Sequence, residues 1–416
     1  MKTLLLLLAL AGAAAPSPRL CAAATPFIRD LASPAPADSQ CSNLAAAPDG
    51  TLFLTYSAPA PQGGERALFL STLAPGAAAW TAPRLIVSSP LLMENWADFA
   101  SLCVGTDGAL TAQWFQKIPG DTARHGYDGW FSRSTDGGKT WRTPAPLGHE
   151  FVALAPLSAG RTLAVWLESW GRGAPAAAPH DHGHAARMKL SARLLAPDGS
   201  SLGDWTVDPD VCTCCQNTVA VLPGDRVLVG YRGHTPDEIR DDRYTFFDLA
   251  SRAFSPSKPL GNDRWKIAAC PVNGPAADAR GDAFAVAWFT AADGVAKVQA
   301  RHATAATREL GPAVRLDLGR PLGRVETVVL ADQSALFLWI EIASADNAAG
   351  LYARRLFPDG ALCAPRLVAD TTQARASGFP RAALRPGGRV VLSFTQAGTP
   401  NQVRTVELDP AGLSRP

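Results

Sequence analysis

The chain has 416 residues, of which 47% are apolar and 18% charged, so it can bury one large core or two ordinary ones and is too apolar to be disordered. Its formal net charge of +2 is spread without runs of one sign. That excludes a polybasic face for nucleic acid or for an acidic membrane surface.

The amino terminus reads MKTLLLLLALAGAAAPSPRLCAAATPF: one lysine, an apolar run from Leu4 to Ala11, then small residues. This is the layout of a secretory leader, too short to span a bilayer, with cleavage after Ala15 or after Ala24. Taking the second, residues 1–24 form the leader and residues 25–416 one domain. Lipid attachment at Cys21 is the weaker reading, because Ser17-Pro18-Arg19-Leu20 places a charge and a proline where small residues are expected. No later segment is long and apolar enough for a transmembrane helix, so the expectation is an exported protein, periplasmic or secreted, in an oxidising compartment. The alanine, proline and glycine bias points to a bacterial genome rich in G and C.

Beyond the leader the chain repeats. A short apolar strand ending near an aromatic recurs as TLFLTYS, LTAQWFQ, TLAVWLE, RVLVGYR, AFAVAWF, SALFLWI and RVVLSFT. Its anchors Tyr56, Trp114, Trp166, Tyr231, Trp288, Trp339 and Phe394 are 51 to 65 residues apart. Each copy has a small-residue strand, a tight turn, the aromatic strand, a loop and a third strand. A fourth strand often follows a proline, as in PRLIVSS from Pro83, PAVRLDL from Pro312 and PRLVADT from Pro365. Short strands at regular spacing predict an all-β array of propeller blades. The seventh copy ends after its third strand, near Leu408, and TPFIRDL from Thr25 resembles the missing fourth. We therefore expect seven blades, with six as the alternative, in a ring closed by an N-terminal strand that joins the last blade and removes two exposed edges.

The run Ser134-Thr135-Asp136-Gly137-Gly138-Lys139-Thr140-Trp141 follows the Asp-box pattern S-x-D-x-G-x-x-W, with eroded relatives at Ala196-Pro197-Asp198-Gly199 and Phe357-Pro358-Asp359-Gly360. On these residues the chain resembles the sialidase and BNR-repeat superfamily. The resemblance implies a sialidase-like propeller and a glycan substrate. The box itself is a folding device, in which the aspartate bonds turn amides and the tryptophan packs on the blade. Sialidases have six blades, an arginine triad, a tyrosine nucleophile late in the chain paired with a glutamate, and an aspartate acid/base. This sequence departs from them: its last blade has no tyrosine, and Phe27-Ile28-Arg29-Asp30 matches their Arg-Ile-Pro motif poorly. Arg232, Arg324 and Arg381 are the arginines that could face a central channel.

In a propeller the loops entering the innermost strands share one face with the loops after the second strands, and function gathers there. Those positions hold Cys41, Asp98, His149, Glu150, the run Cys212-Thr213-Cys214-Cys215-Gln216-Asn217, Cys270, Arg324 and Glu326. The second-strand loops add His180, His182 and His184 in PHDHGHA, and His234. Thiolates and imidazoles together suit zinc or copper, so Cys212, Cys214, Cys215, Cys270, His149, His182 and His234 are the candidate metal ligands. Cys214 and Cys215 point apart if the chain is extended, so one should bind an ion and the other bridge. Structural disulfides, such as Cys212 or Cys215 to Cys270, are the competing reading; seven cysteines remain once Cys21 is removed, which leaves one unpaired. Cys103 and Cys363 read as strand or blade-interior residues. Asp98, Glu150 and Glu326, with Arg232 and Arg324, are the candidate catalytic residues of a glycoside hydrolase. Three functions stay open: a propeller that binds a small molecule or a soft metal without sialidase turnover, a hydrolase acting on glycans, and a protein-interaction scaffold braced by disulfides.

Overall fold

The structure is a computed structural model describing residues 26–120, 126–170, 188–307, 309–343, 346 and 348–416. The seven aromatic strands are the second strands of seven separate antiparallel sheets. They run Leu52–Pro59, Leu110–Lys117, Thr162–Ser169, Arg226–Arg232, Ala283–Thr290, Ala335–Ile342 and Val390–Gln396. Nearly every residue in them is buried on both faces, which is why they read as unbroken apolar runs. All seven anchors are buried between neighbouring blades. Burial falls outward, and the fourth strand Ser201–Val211 of blade three is mostly exposed or half-buried. Among the described residues the only helical pieces are three-residue 3-10 turns.

The chain closes on itself as expected. Ile28–Leu31 pairs antiparallel with Gln402–Leu408, with Ile28 opposite Leu408 and Leu31 opposite Thr405, completing the sheet of blade seven. Leu31 then packs in one cluster with Leu54 and Tyr56 of blade one and Val391 and Val403 of blade seven. At this seam Glu407 is buried and accepts from three guanidinium groups: Arg29 at 2.6 Å, Arg385 at 2.9 Å and Arg389 at 3.4 Å. One of these arginines comes from the amino-terminal strand and two from the turn between the first two strands of blade seven.

Some outer strands are shorter than the sequence suggests. The run after Pro312 keeps only Val314–Arg315 as strand. Asp317 explains the cut: its carboxylate accepts the Val298 amide at 2.8 Å and the Gly319 amide at 2.9 Å, and so replaces the next rungs of the ladder. Between the third and fourth strands of blade two, Asp136 accepts the amides of Lys139 and Thr140 at 3.0 Å each, and Trp141 packs against the seam between blades one and two.

A cavity of about 530 Å³ runs into the ring at the far ends of the innermost strands. Leu44, Val104, Pro156, Val221, Ala277, Val328 and Ala383 line it, one residue from each blade. The ring therefore surrounds a real channel.

Replacing Glu407 by alanine leaves three guanidinium groups converging on a dry pocket. The expected loss is about 3 kcal/mol or more, by analogy with other broken buried ion pairs. A urea titration of Glu407→Ala checks it; an unchanged midpoint would mean that the seam does not hold the ring.

Candidate functional site

The mouth of the ring is built from irregular backbone. The innermost strands of blades one, three and six each shift register, between Gln40 and Asn43, Glu150 and Ala153, and Gly323 and Glu326. Inside these bulges Cys41, Phe151 and Arg324 have φ of 56, 52 and 55°. Val272, in the loop entering blade five, has φ 49°. Side chains with a Cβ rarely adopt this conformation, and a bulge re-aims them away from the sheet.

Buried amides stitch the loops across blades. Gln216 donates to the Ala97 carbonyl at 2.7 Å and accepts from the Gly274 amide at 3.0 Å, joining blades two, four and five. Asn217 donates to the Phe151 carbonyl at 2.9 Å, and Asn273 accepts the Arg324 amide at 2.7 Å. The approach at Gly274 is so close that a Cβ there would lie 1.9 Å from the Gln216 carbonyl oxygen.

This stitching fixes the Cys212–Asn217 segment, which bends at Thr213 and Cys214 instead of running extended. The bend overturns the expectation that Cys214 and Cys215 point apart. One ligand atom each from Cys212, Cys214 and Cys215 lies within 4.8 Å of the other two, and all three residues are buried. Cys212 and Cys215 place their sulfurs 3.9 Å apart. Cys270, half-buried, packs against the group from the loop entering blade five, its sulfur 3.7 Å from the Thr213 hydroxyl. Each of the seven described cysteines carries a free thiol, so the disulfide bracing expected as the alternative is absent among the described residues.

Hydrogen bonding divides the four thiols. The neighbouring sulfurs of Cys212, Cys215 and Cys270, and then burial, hold the Cys214 thiol far above the ordinary range. Bonds received from Cys214 and Cys215 pull Cys212 well below that range, helped by Arg232 and Arg240. The bond from Cys214, with a second from Thr213, brings Cys270 down to about 6. Burial raises Cys215.

A chain of polar contacts backs the sulfurs. Arg240 donates to the Cys212 sulfur at 3.5 Å and to Glu238 at 2.7 Å. His234 lies between Glu238, at 3.4 Å, and Asp210, at 2.8 Å. His234 is thus tied to carboxylates and stands outside the group of converging sulfurs. His149 also stands outside it: its ring lies against Tyr127, with Nδ1 3.7 Å from Glu150. His182, with His180 and His184, falls outside the described residues.

The other predicted side chains fall into four settings. Asp98 accepts from Tyr127 at 2.8 Å and from the Phe151 amide at 2.9 Å, and burial, then Glu150, pushes its carboxyl well above the usual range. Arg324 is buried; its guanidinium donates to the Ala374 carbonyl at 2.9 Å and lies 4.9 Å from the Trp96 ring centroid. Burial and the neighbouring Arg375 lower Arg324 to about 10. Glu326 accepts from Arg381 at 3.0 Å and faces the channel. Arg232 is fully buried, paired to Asp242 at 2.7 Å and bonded to the carbonyls of Asn273 and Phe289, so it staples blades four and five beneath the thiols.

A mouth cavity of about 140 Å³ opens beside the Tyr127 partner of Asp98. Asn95, Trp96, Tyr127, Glu150, Cys214, Val272 and Arg375 line it. Tyr127 and Arg375 were not among the sequence candidates. The available signal for Tyr127 was its place as first residue of its strand, at the mouth end; Arg375 gives none, sitting in a short turn of otherwise ordinary composition.

No protein family matches the sequence, and no curated protein matches it. Solved structures do match in fold. A protein of unknown function from Dyadobacter fermentans has a TM-score of 0.52 at 15% identity, over 92% of this chain and 100% of its own. An ulvan lyase has a TM-score of 0.52 at 10% identity, over 89% and 94%. A Hadza microbial sialidase reaches 0.47 at 10% identity, over 91% of this chain and 66% of its own. The neighbours thus include glycan-acting propellers, and at these identities the likeness is one of fold.

Asp278, on the channel wall, is raised by burial to about 6. Its unfolded value is about 4, so the stability linked to its protonation is full below about pH 4 and is lost as pH rises through 6. Asp278→Asn should flatten the pH dependence of the urea midpoint between those values. An unchanged slope would place the titration elsewhere.

Proposed function

We propose that this propeller is an exported metal-binding protein whose mouth holds one thiophilic ion, zinc(II) or copper(I), on Cys212, Cys214, Cys215 and Cys270. The observation that carries the reading is the mutual approach of three buried sulfurs within 4.8 Å. An ion with bonds of about 2.3 Å to tetrahedral sulfurs separates them by roughly 3.8 Å. The Cys212–Cys215 distance of 3.9 Å fits that edge. A set made only of sulfur selects soft or borderline ions over magnesium or calcium. Arg240 and Arg232 offset the charge that several thiolates would bring together. Glu238 and His234 then hold Arg240 in place, the kind of outer support that tunes a metal site.

Cys212 and Cys215 come from one bend and Cys270 from the next blade, so binding also ties blade four to blade five. The ion therefore contributes to folding as well as to function.

Purified protein dialysed against zinc should retain one ion per chain, and competition with a chromogenic chelator should report the affinity. Cys212→Ser and Cys215→Ser should each lose more than about 100-fold, and Arg240→Gln about 10-fold, the scale typical of outer partners. Affinity should also fall with decreasing pH, because protons compete for the sulfurs. Substoichiometric metal that is indifferent to all three substitutions would end this reading.

A further inference from the structure

The backbone that carries the sulfurs has little of its own to hold it. Residues 213–217 lie outside every strand, and among the described residues their amides and carbonyls bond to no other backbone group. Side chains set the course of this stretch: the converging sulfurs at one end, Gln216 and Asn217 at the other.

The same contacts frame the mouth cavity. Cys214 is one wall, and Val272, two residues from Cys270, is another. Ala97 and Phe151 are walls as well, and each is bonded through its carbonyl to this stretch, by Gln216 at 2.7 Å and by Asn217 at 2.9 Å. Asp98 completes the circuit, accepting the Phe151 amide at 2.9 Å and, at 2.8 Å, the hydroxyl of Tyr127, a further wall. Gln216, Ala97, Asp98, Phe151 and Asn217 therefore form a closed loop of hydrogen bonds and chain links, in which no member moves without its neighbours. Ala97, Tyr127 and Phe151 belong to blades two and three, which supply no sulfur to the group.

We propose that the ion is the keystone of the mouth cavity: loading the sulfurs fixes residues 213–217, and the closed loop passes that order to the walls on blades two and three. This rests on the metal reading above and adds a regulatory role, in which ion occupancy decides whether the cavity keeps one shape. A stretch without ladder bonds retains conformational freedom that ordering must overcome. With the sulfurs clamped, that freedom is already lost, and Gln216 and Asn217 are held at the carbonyls they bind. With the ion removed, two side-chain amides must order the stretch by themselves. The coupling is reciprocal, so a small molecule seated against the same walls strengthens ion binding by the factor that the ion strengthens its own.

Hydrogen exchange of the full chain with and without zinc, read by peptide mass, tests this, with the bound ion counted on the same samples by a chromogenic chelator. Zinc should slow exchange roughly 10-fold in peptides covering residues 95–101 and 149–153, neither of which contains a cysteine. Gln216→Met keeps the reach of the side chain without its hydrogen bonds and should lose most of the slowing at 95–101. Asn217→Ala should lose most of it at 149–153, and this milder change decides the matter should Gln216→Met fail to fold. The double variant should lose the slowing at both places while still holding its ion. A wild-type chain that holds zinc with exchange unchanged at both places would overturn the proposal, as would a double variant that keeps the full slowing. A chain that holds no zinc overturns the metal reading and the keystone with it, and the ion count tells that failure from the other two.

Discussion

The structure depends on one pairing: four residues near the amino terminus, Ile28–Leu31, hydrogen-bond to the last strand of the chain. A propeller blade buries its second strand only if a neighbour covers each face, and the first and last blades become neighbours only when the ring is shut. Glu407 makes the closure specific, because a buried carboxylate with Arg29, Arg385 and Arg389 around it tolerates no slip in register. With the ring shut, seven loops are held at one rim, and residues more than a hundred positions apart become neighbours. Gln216 touching Ala97 is the plainest case.

The rim then departs from regular sheet. Bulges at Cys41, Phe151 and Arg324 place non-glycine residues in left-handed backbone, a cost that the surrounding amide bonds must offset. The same irregularity bends the chain through Thr213 and Cys214 and gathers three sulfurs that a straight strand would scatter. Buried amides and thiols coincide on blades four and five, with left-handed backbone beside them at Phe151 and Val272. The opposite end of the channel, walled largely by alanine and valine, has no such concentration.

Much of the fold was legible because burial on both faces writes a continuous apolar run, and a run ending in Trp166 or Trp288 can be counted. The closing strand was legible for a related reason: a sheet with three strands at one terminus needs a fourth, and the other terminus held a matching segment. The site was legible only in outline. The sulfurs at 212, 214, 215 and 270 could be placed on one rim from the repeat spacing, but their convergence depends on a bend that no residue in Cys212–Cys215 announces. Spacing also could not show that His234 is tied to Asp210 and Glu238. Nor could it show that Arg232 lies beneath the thiols, paired with Asp242, instead of facing the channel.

In the proposed reading, sulfur alone makes the site at the mouth. X-ray absorption at the metal edge of the loaded protein addresses it directly. A shell of sulfur scatterers at about 2.3 Å is expected. A shell dominated by nitrogen or oxygen at about 2.0–2.1 Å, as imidazole or carboxylate ligands give, would contradict it.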